Sequence, residues 1–187
     1  TNPLLTVIDI PSWAEVAHAH GALVVVDNTF ASPALQTPLS PAQGGHGADV
    51  VVHSTTKYIG GHSDVVGGAV VAGTDELAER IAYWSNVLDV TGSPFDSYLT
   101  LRGLRTLPAR LRAHTEGTEA VLEALVGHPA VAAVHRPGLP DHPGHEIAAR
   151  QQEGFGAMVS FDLAGGRAAV AAFVDGLQCF TLAESLG

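Results

Sequence analysis

Positive charge is scarce in this chain. Its 187 residues hold 9 lysines and arginines against 19 aspartates and glutamates, a formal net charge of −10. A surface of that sign repels a phosphate backbone, so no nucleic-acid partner is expected. Cysteine is nearly absent: Cys179 stands alone, which excludes an intrachain disulfide and fits a reducing compartment. No apolar run reaches the ~18 residues of a membrane span, and no basic-then-apolar leader is visible ahead of the first strand. The expectation is a soluble, cytoplasmic protein with no membrane partner. Hydrophobic residues make up 46% and charged residues only 15%, the balance of a globular chain. Lysine is the scarcest charged type. Eight of the nine cations are arginines, and the one lysine is Lys57. A general preference for arginine accounts for the count but not for the place.

The pattern along the chain is that of an α/β protein. Pro11 and Ser12 open a helical periodicity through Trp13, Val16, Ala17 and His20, with Gly21 as its stop. Leu23–Val26 and Asp49–Val52 are short, continuously apolar runs, the signature of strands buried on both faces, and Gly67–Ala72 is a third. Residues 31–48, with Pro33, Pro38, Pro41 and a glycine-rich stretch, read as an irregular loop. The expected sheet is mostly parallel with helices on both sides. A helix is expected over Asp75–Trp84 and a long one from Ser97 to about Gly127, broken or kinked at Gly103, Pro108 and Gly117. Its apolar positions, Leu101, Leu104, Leu107 and Leu111 among them, read as core or subunit interface. Beyond His128-Pro129 the pattern changes: Val131–Val134 and Ala157–Leu163 read as strands, Arg167–Leu177 as a helix and Cys179–Ala183 as a strand. The division that follows is 1–96, 97–128 and 129–187. The chain starts at Thr1 without a methionine, and we read it as a piece of something longer.

Open α/β sheets place ligands at the carboxyl ends of their strands. The first run ends in Asp27-Asn28-Thr29, the second in His53-Ser54-Thr55-Thr56-Lys57. An amine beside hydroxyls, facing a carboxylate from another strand, suits a cofactor with an aldehyde, a phosphate and a basic ring nitrogen. Pyridoxal phosphate has those three handles. Lys57 would form the Schiff base, Ser54 and Thr56 would bind the phosphate, and Asp27 would keep the ring nitrogen protonated. Metal binding is not expected. The best histidine pairs, His62-x-Asp64 and His142 with His145, match no strong ligand spacing.

Several longer stretches support this. Val25-Val26-Asp27-Asn28-Thr29-Phe30-Ala31-Ser32-Pro33 and Ser54-Thr55-Thr56-Lys57-Tyr58-Ile59-Gly60-Gly61-His62-Ser63-Asp64 resemble the Cys/Met-metabolism (trans-sulfuration) family of pyridoxal-phosphate enzymes. So do Thr1-Asn2-Pro3, residues 98–107, His142-Pro143-Gly144-His145-Glu146 and Ala183-Glu184-Ser185-Leu186-Gly187. The resemblance implies the type I, aspartate aminotransferase-like fold. Residues 1–96 would be the later half of the cofactor-binding domain, 97–128 a connecting helix, and 129–187 the start of a smaller α/β domain. It also implies that Lys57 is the cofactor lysine, Asp27 the ring-nitrogen partner, and Ser54 and Thr56 phosphate ligands. Thr29 would lie near the ring and Asn2 beside the cofactor's 3′ oxygen. Ser185 and Leu186 would meet the substrate's carboxylate, and Glu184 would stand at the mouth of the site.

The implied activity is γ-replacement or γ-elimination on a sulfur-linked amino acid: cystathionine made from an activated homoserine and cysteine, or cystathionine cleaved. Elimination from methionine is the alternative within the class, and a silent fragment serving only in assembly the alternative outside it. Small amino-acid substrates and a homotetramer, a dimer of dimers, are the implied partners. Two departures stand out. The stretch around Ser40–Gly47 is a few residues longer than the family's pattern. The family's phosphate-binding glycine loop, stacking tyrosine and carboxylate-binding arginine have no counterpart within these 187 residues, and the isolated chain is therefore expected to be inactive.

Overall fold

The structure is a computed structural model, and it describes residues 3–41 and 44–183. Helix α1 (Ile10–Ala19) is started by Asp9, whose carboxylate accepts from the Ser12 N–H, and buries Ile10 and Ala14. It leads to β1 (Val25–Asp27). A one-turn helix, α2 (Ser32–Leu35), interrupts what the prolines had suggested was wholly irregular; Pro33, with its fixed φ, suits a first helical turn. The longer loop beyond it is closed at its neck, where Ala48 N–H donates to Pro38 O at 2.8 Å and Gly47 N–H to Leu39 O at 2.8 Å.

Strand β2 (Val50–Ser54) pairs with β1 in parallel, Val25 opposite Val50 and Asp27 opposite Val52. Strand β3 (Gly68–Ala72) pairs antiparallel on the far side, Val50 opposite Ala72 and Ser54 opposite Gly68. The described sheet is thus mixed, where a mostly parallel one was expected. The reason lies in the connection. After Ser54 the chain folds back along the strand it has just left, and Thr55 N–H donates to Gly67 O at 2.9 Å to close the return. No helix carries it across the sheet, as a parallel pairing requires. Apolar runs do not distinguish these cases. Nor are the strands covered on both faces by the described residues, since Val25, Val70 and Val71 are exposed.

Helix α3 (Asp75–Val87) is capped by Thr74 and carries Asp75 and Glu76 in its first turn, the favourable end for acids. Helix α4 (Pro94–Leu125) starts at Ser93, whose hydroxyl accepts from Asp96 N–H, with Pro94 in the first position. It runs 32 residues without a break at Gly103, Pro108 or Gly117. A helix this long propagates through one missing N–H, because each further residue adds its own bond. Its buried stripe is Leu99, Gly103, Leu107, Leu111, Thr118 and Leu122, at near four-residue spacing. Leu101 and Leu104, read as core or subunit interface, are not part of this chain's core; both are exposed.

The remainder comprises β4 (Val131–His135), α5 (His145–Gln151), β5 (Ser160–Leu163) and α6 (Gly166–Asp175), with β4 and β5 antiparallel. No strand forms over residues 179–183; Phe180 and Leu182 are exposed, and no described strand edge pairs with them. Helix α4 touches both parts of the chain. Its first half packs on the turn after β2, and further along Thr118 donates to Ala157 O at 3.1 Å, while Glu119 binds the buried Arg136 at 2.8 Å. Contacts also cross the residue 128/129 division elsewhere: His46 meets Gln151 O at 2.8 Å, and Glu153 N–H donates to Leu35 O at 2.8 Å.

Candidate active site

A cavity of about 880 Å³ opens at the carboxyl ends of β1 and β2. Its lining includes Asp27, Thr29, Ser54 and Lys57, residues 5–8 with Ile10, and Gln151, Gln152 and residues 154–156. The lone lysine thus shares a cavity with the carboxylate on the neighbouring strand.

Lys57 sits in a π-helical turn, Thr55–Ile59. Gly60 N–H reaches back five residues to Thr55 O at 2.8 Å, and Gly61 N–H donates to Lys57 O at 2.8 Å. Lys57 itself departs from helical geometry, with φ −91° and ψ −132°. Single π turns of this kind recur at functional sites. Helix α4 holds the turn from outside. A Cβ on Gly103 would lie 2.1 Å from Ile59 O and 2.4 Å from Gly60 O, so only glycine permits this approach. The Arg110 guanidinium lies under Gly61 and donates to Gly103 O at 2.8 Å; desolvation lowers its pKa. The Tyr58 ring meets His114 edge-on at 5.6 Å, and burial raises the Tyr58 phenol above its ordinary value.

At the end of β1, Asp27 Oδ1 accepts from Thr29 N–H at 2.9 Å, and Thr29 Oγ1 accepts from Ser54 N–H at 2.8 Å. Asp27, Thr29 and Ser54 are therefore tied across two strands. Next to Ser54, the buried His53 has no partner for its Nδ1; desolvation lowers its pKa, and the charge of Asp27 pulls the other way. Thr56 is placed differently from its neighbours. It does not line the cavity, and its hydroxyl pairs with Gly67, accepting from N–H at 3.1 Å and donating to O at 3.4 Å. Asn2, Glu184, Ser185 and Leu186 lie outside the described residues.

Motif reasoning passed over Asn28, Gln36, Gln151 and Gln152, a hydrogen-bonded amide cluster at the cavity wall. The one available sign was Asn28 inside the Asp27-Asn28-Thr29 stretch; nothing local marks a glutamine that bonds to a residue more than a hundred positions away. The candidate histidines serve backbone groups: His62 Nδ1 meets Gly60 O at 2.7 Å, and His145 Nδ1 meets Pro137 O at 2.8 Å. His142 Nδ1 accepts from Gly144 N–H at 3.0 Å.

An amine, a carboxylate and hydroxyls gathered at the strand ends of an α/β sheet are the groups that a carbonyl compound with a basic ring would need. Comparison with known proteins agrees. The model of the Cys/Met metabolism PLP-dependent enzymes matches residues 1–187. The chain is 56% identical over all its residues to cystathionine gamma-synthase of Mycobacterium leprae, covering 47% of that protein. It is 49% identical to cystathionine beta-lyase of Lactococcus lactis, covering 48% of it. Among solved structures, cystathionine gamma synthase from Xanthomonas oryzae in complex with cystathionine superposes with a TM-score of 0.93 at 62% identity, over 100% of this chain and 47% of that one. The chain belongs to the Cys/Met metabolism family of pyridoxal-phosphate-dependent enzymes. It spans about half the length of the curated relatives it matches.

The residues present fit that cofactor. Lys57 would offer the amine for its aldehyde, Asp27 a carboxylate for its ring nitrogen, and Ser54 a hydroxyl for its phosphate, and all three line one cavity.

Proposed function

We propose that the protein of which this chain is part makes cystathionine from an activated homoserine and cysteine, by γ-replacement. The observation that carries this reading is the shared cavity of Lys57, Asp27, Ser54 and Thr29, together with the identity to synthases, which exceeds that to lyases. Cleavage of cystathionine is the second reading, favoured by the 46% identity to a cystathionine gamma-lyase from Lactobacillus plantarum. Elimination from methionine is a third outcome of the same test.

In mechanism, Lys57 would hold the cofactor through its amine, and the same amine would carry protons at the substrate's α and β carbons. Asp27 keeps a positive charge on the ring nitrogen, and the Thr29 N–H holds its Oδ1 in place. Bound pyridoxal phosphate supplies an electron sink for carbanion chemistry on an amino acid. Ser54 donates to the phosphate; Thr56 joins it only by giving up its bond to Gly67 O. By the family resemblance, Asn2 would serve the cofactor's 3′ oxygen, Ser185 and Leu186 would meet the substrate's carboxylate, and Glu184 would stand at the mouth of the site. The α4 contacts at residues 58–61 keep Lys57 on the cavity wall. Residues 1–96 serve as the later half of the cofactor-binding domain of a type I fold, 97–128 as the connection, and 129–187 as the start of the smaller domain. The whole protein works as a cytoplasmic homotetramer.

The test offers the full-length, cofactor-loaded protein cystathionine, methionine, or O-acylhomoserine with cysteine. Cystathionine formed faster than either amino acid is cleaved supports the synthase. Faster release of 2-oxobutanoate from cystathionine, or of methanethiol from methionine, assigns the protein to the corresponding lyase instead.

A further inference from the structure

We infer that the buried amide cluster of Asn28, Gln36, Gln151 and Gln152 is a positioning device for the Asp27 carboxylate. Asn28 stands between the two cavity residues Asp27 and Thr29 and is only 2% exposed. Its Nδ2 donates to Gln36 O at 2.8 Å and to Ser32 O at 3.1 Å, and its Oδ1 accepts from Gln36 Nε2 at 2.9 Å. Its own N–H donates to Val52 O at 3.0 Å, continuing the β1–β2 pairing. Gln36 Oε1 in turn accepts from Gln152 Nε2 at 2.9 Å and, over a longer 3.4 Å, from Gln151 Nε2. Gln151 also donates to Ile8 O at 2.8 Å and accepts from Ile10 N–H. Gln36 thereby joins the Asn28 stretch to residues 151–152, and Gln151 joins these in turn to residues 8–10.

Two features point past ordinary packing. Every side-chain amide of Asn28, Gln36 and Gln151 has a partner, and satisfied polar networks in low dielectric fix one arrangement more than they add stability. The cluster also enforces an unfavourable backbone. Ser32, fully buried, holds φ +61°, a left-handed conformation costly for a residue with a Cβ. Its carbonyl is one of the groups that Asn28 binds. Such strain persists where the surroundings over-determine it, often beside a functional group. The group here is the carboxylate of Asp27, whose Oδ1 is held by the N–H of Thr29, the residue after Asn28. The Thr29 N–H belongs to the Asn28–Thr29 peptide, so a rotation of that peptide carries the donor away from the Asp27 carboxylate.

The inference rests on the reading of Asp27 as the partner of the ring nitrogen, and its test keeps the two apart. Full-length protein loaded with pyridoxal phosphate is prepared as the parent, as Asp27→Asn, as Gln36→Met and as Arg136→Met. The last removes a buried cation outside the cluster and serves as a control for stability. The readouts are the pH midpoint of the bound cofactor's visible absorbance, and kcat and KM separately. Gln36→Met is expected to move the absorbance midpoint in the direction of Asp27→Asn and to lower kcat about tenfold, with KM within about twofold of the parent. Arg136→Met should leave the midpoint in place. A Gln36→Met protein with the parent's midpoint and kcat overturns the positioning role, as does one whose changes match those of Arg136→Met. An Asp27→Asn protein with an unchanged spectrum overturns the reading of Asp27 itself. If Gln36→Met does not fold, Gln152→Met removes one donor from the cluster; a smaller shift in the same direction supports the inference, and an unmoved midpoint overturns it.

Discussion

Two glycines of one helix should answer the same substitution with opposite signs. Gly103 and Gly117 both lie inside α4, so alanine at either position gains about 1 kcal/mol of helix propensity. At Gly117 nothing lies within 4 Å of the added methyl, and the gain should appear in full. At Gly103 the methyl would sit 2.1 Å from Ile59 O, about 1.2 Å inside the ~3.3 Å at which carbon and a carbonyl oxygen rest. Gly60 O, at 2.4 Å, closes the second route of escape. Both obstacles are backbone, so no rotamer change relieves them. The helix must retreat from the turn that holds Lys57, loosening Leu99 and Leu107 on the same stripe. Overpacking of this kind costs up to about 3 kcal/mol, which leaves Gly103→Ala about 2 kcal/mol less stable than the parent and Gly117→Ala about 1 kcal/mol more stable. Urea titration of the full-length protein measures the sign directly. Hydrogen exchange at Gly60 and Gly61, whose amides close the turn onto Thr55 and Lys57, reports whether the displacement reaches the site. If both variants shift the midpoint upward and the two amides exchange as in the parent, the packing argument is wrong.

The remaining predictions concern pH. Burial holds the His53 imidazole below its ordinary value of 6.5, against the opposing pull of Asp27, so the folded state binds fewer protons than the unfolded chain as pH falls through that region. Stability should therefore decline as pH drops below about 6.5, and His53→Gln should flatten the decline in a series of urea midpoints. For Asp49, desolvation raises the carboxyl pKa, but the Val24 N–H at 2.7 Å and His18 at 2.9 Å outweigh it, and the net shift is downward. That contribution is complete above the ordinary carboxyl value of 3.8 and disappears as pH falls through the lower folded value. Asp49→Asn should remove this acid limb, while the parent retains it.

Local chemistry made much of this molecule legible. The helices themselves are legible from their periodicity, but their caps Asp9, Thr74 and Ser93 are not picked out by it, and α4 begins at Pro94 where Ser97 was expected. The strand cores Val25–Val26 and Val50–Val52 announce themselves by unbroken apolar runs. The order of polar residues after them is enough to bring Lys57 and Asp27 to one cavity. What escaped is long-range. The antiparallel return of β3 is set by its five-residue register on β2 and closed by the bond from Thr55 to Gly67, and no periodicity encodes it. Leu101 and Leu104 read as core or subunit interface, and no periodicity tells the two apart; Gly103, the smallest residue, marks the contact of the helix with the turn. The engagement of Thr56 with Gly67 and the reach of Gln151 to Ile8 likewise join positions that only the folded chain brings together.

The central claim is that Lys57 is the amine that holds the cofactor. Since this stretch of the protein contains no other lysine, borohydride reduction of the full-length holoprotein followed by peptide mapping tests it without ambiguity. The account predicts a pyridoxyl group on the peptide containing Lys57, and its loss in Lys57→Ala. A label recovered on any other peptide of the parent protein would contradict it.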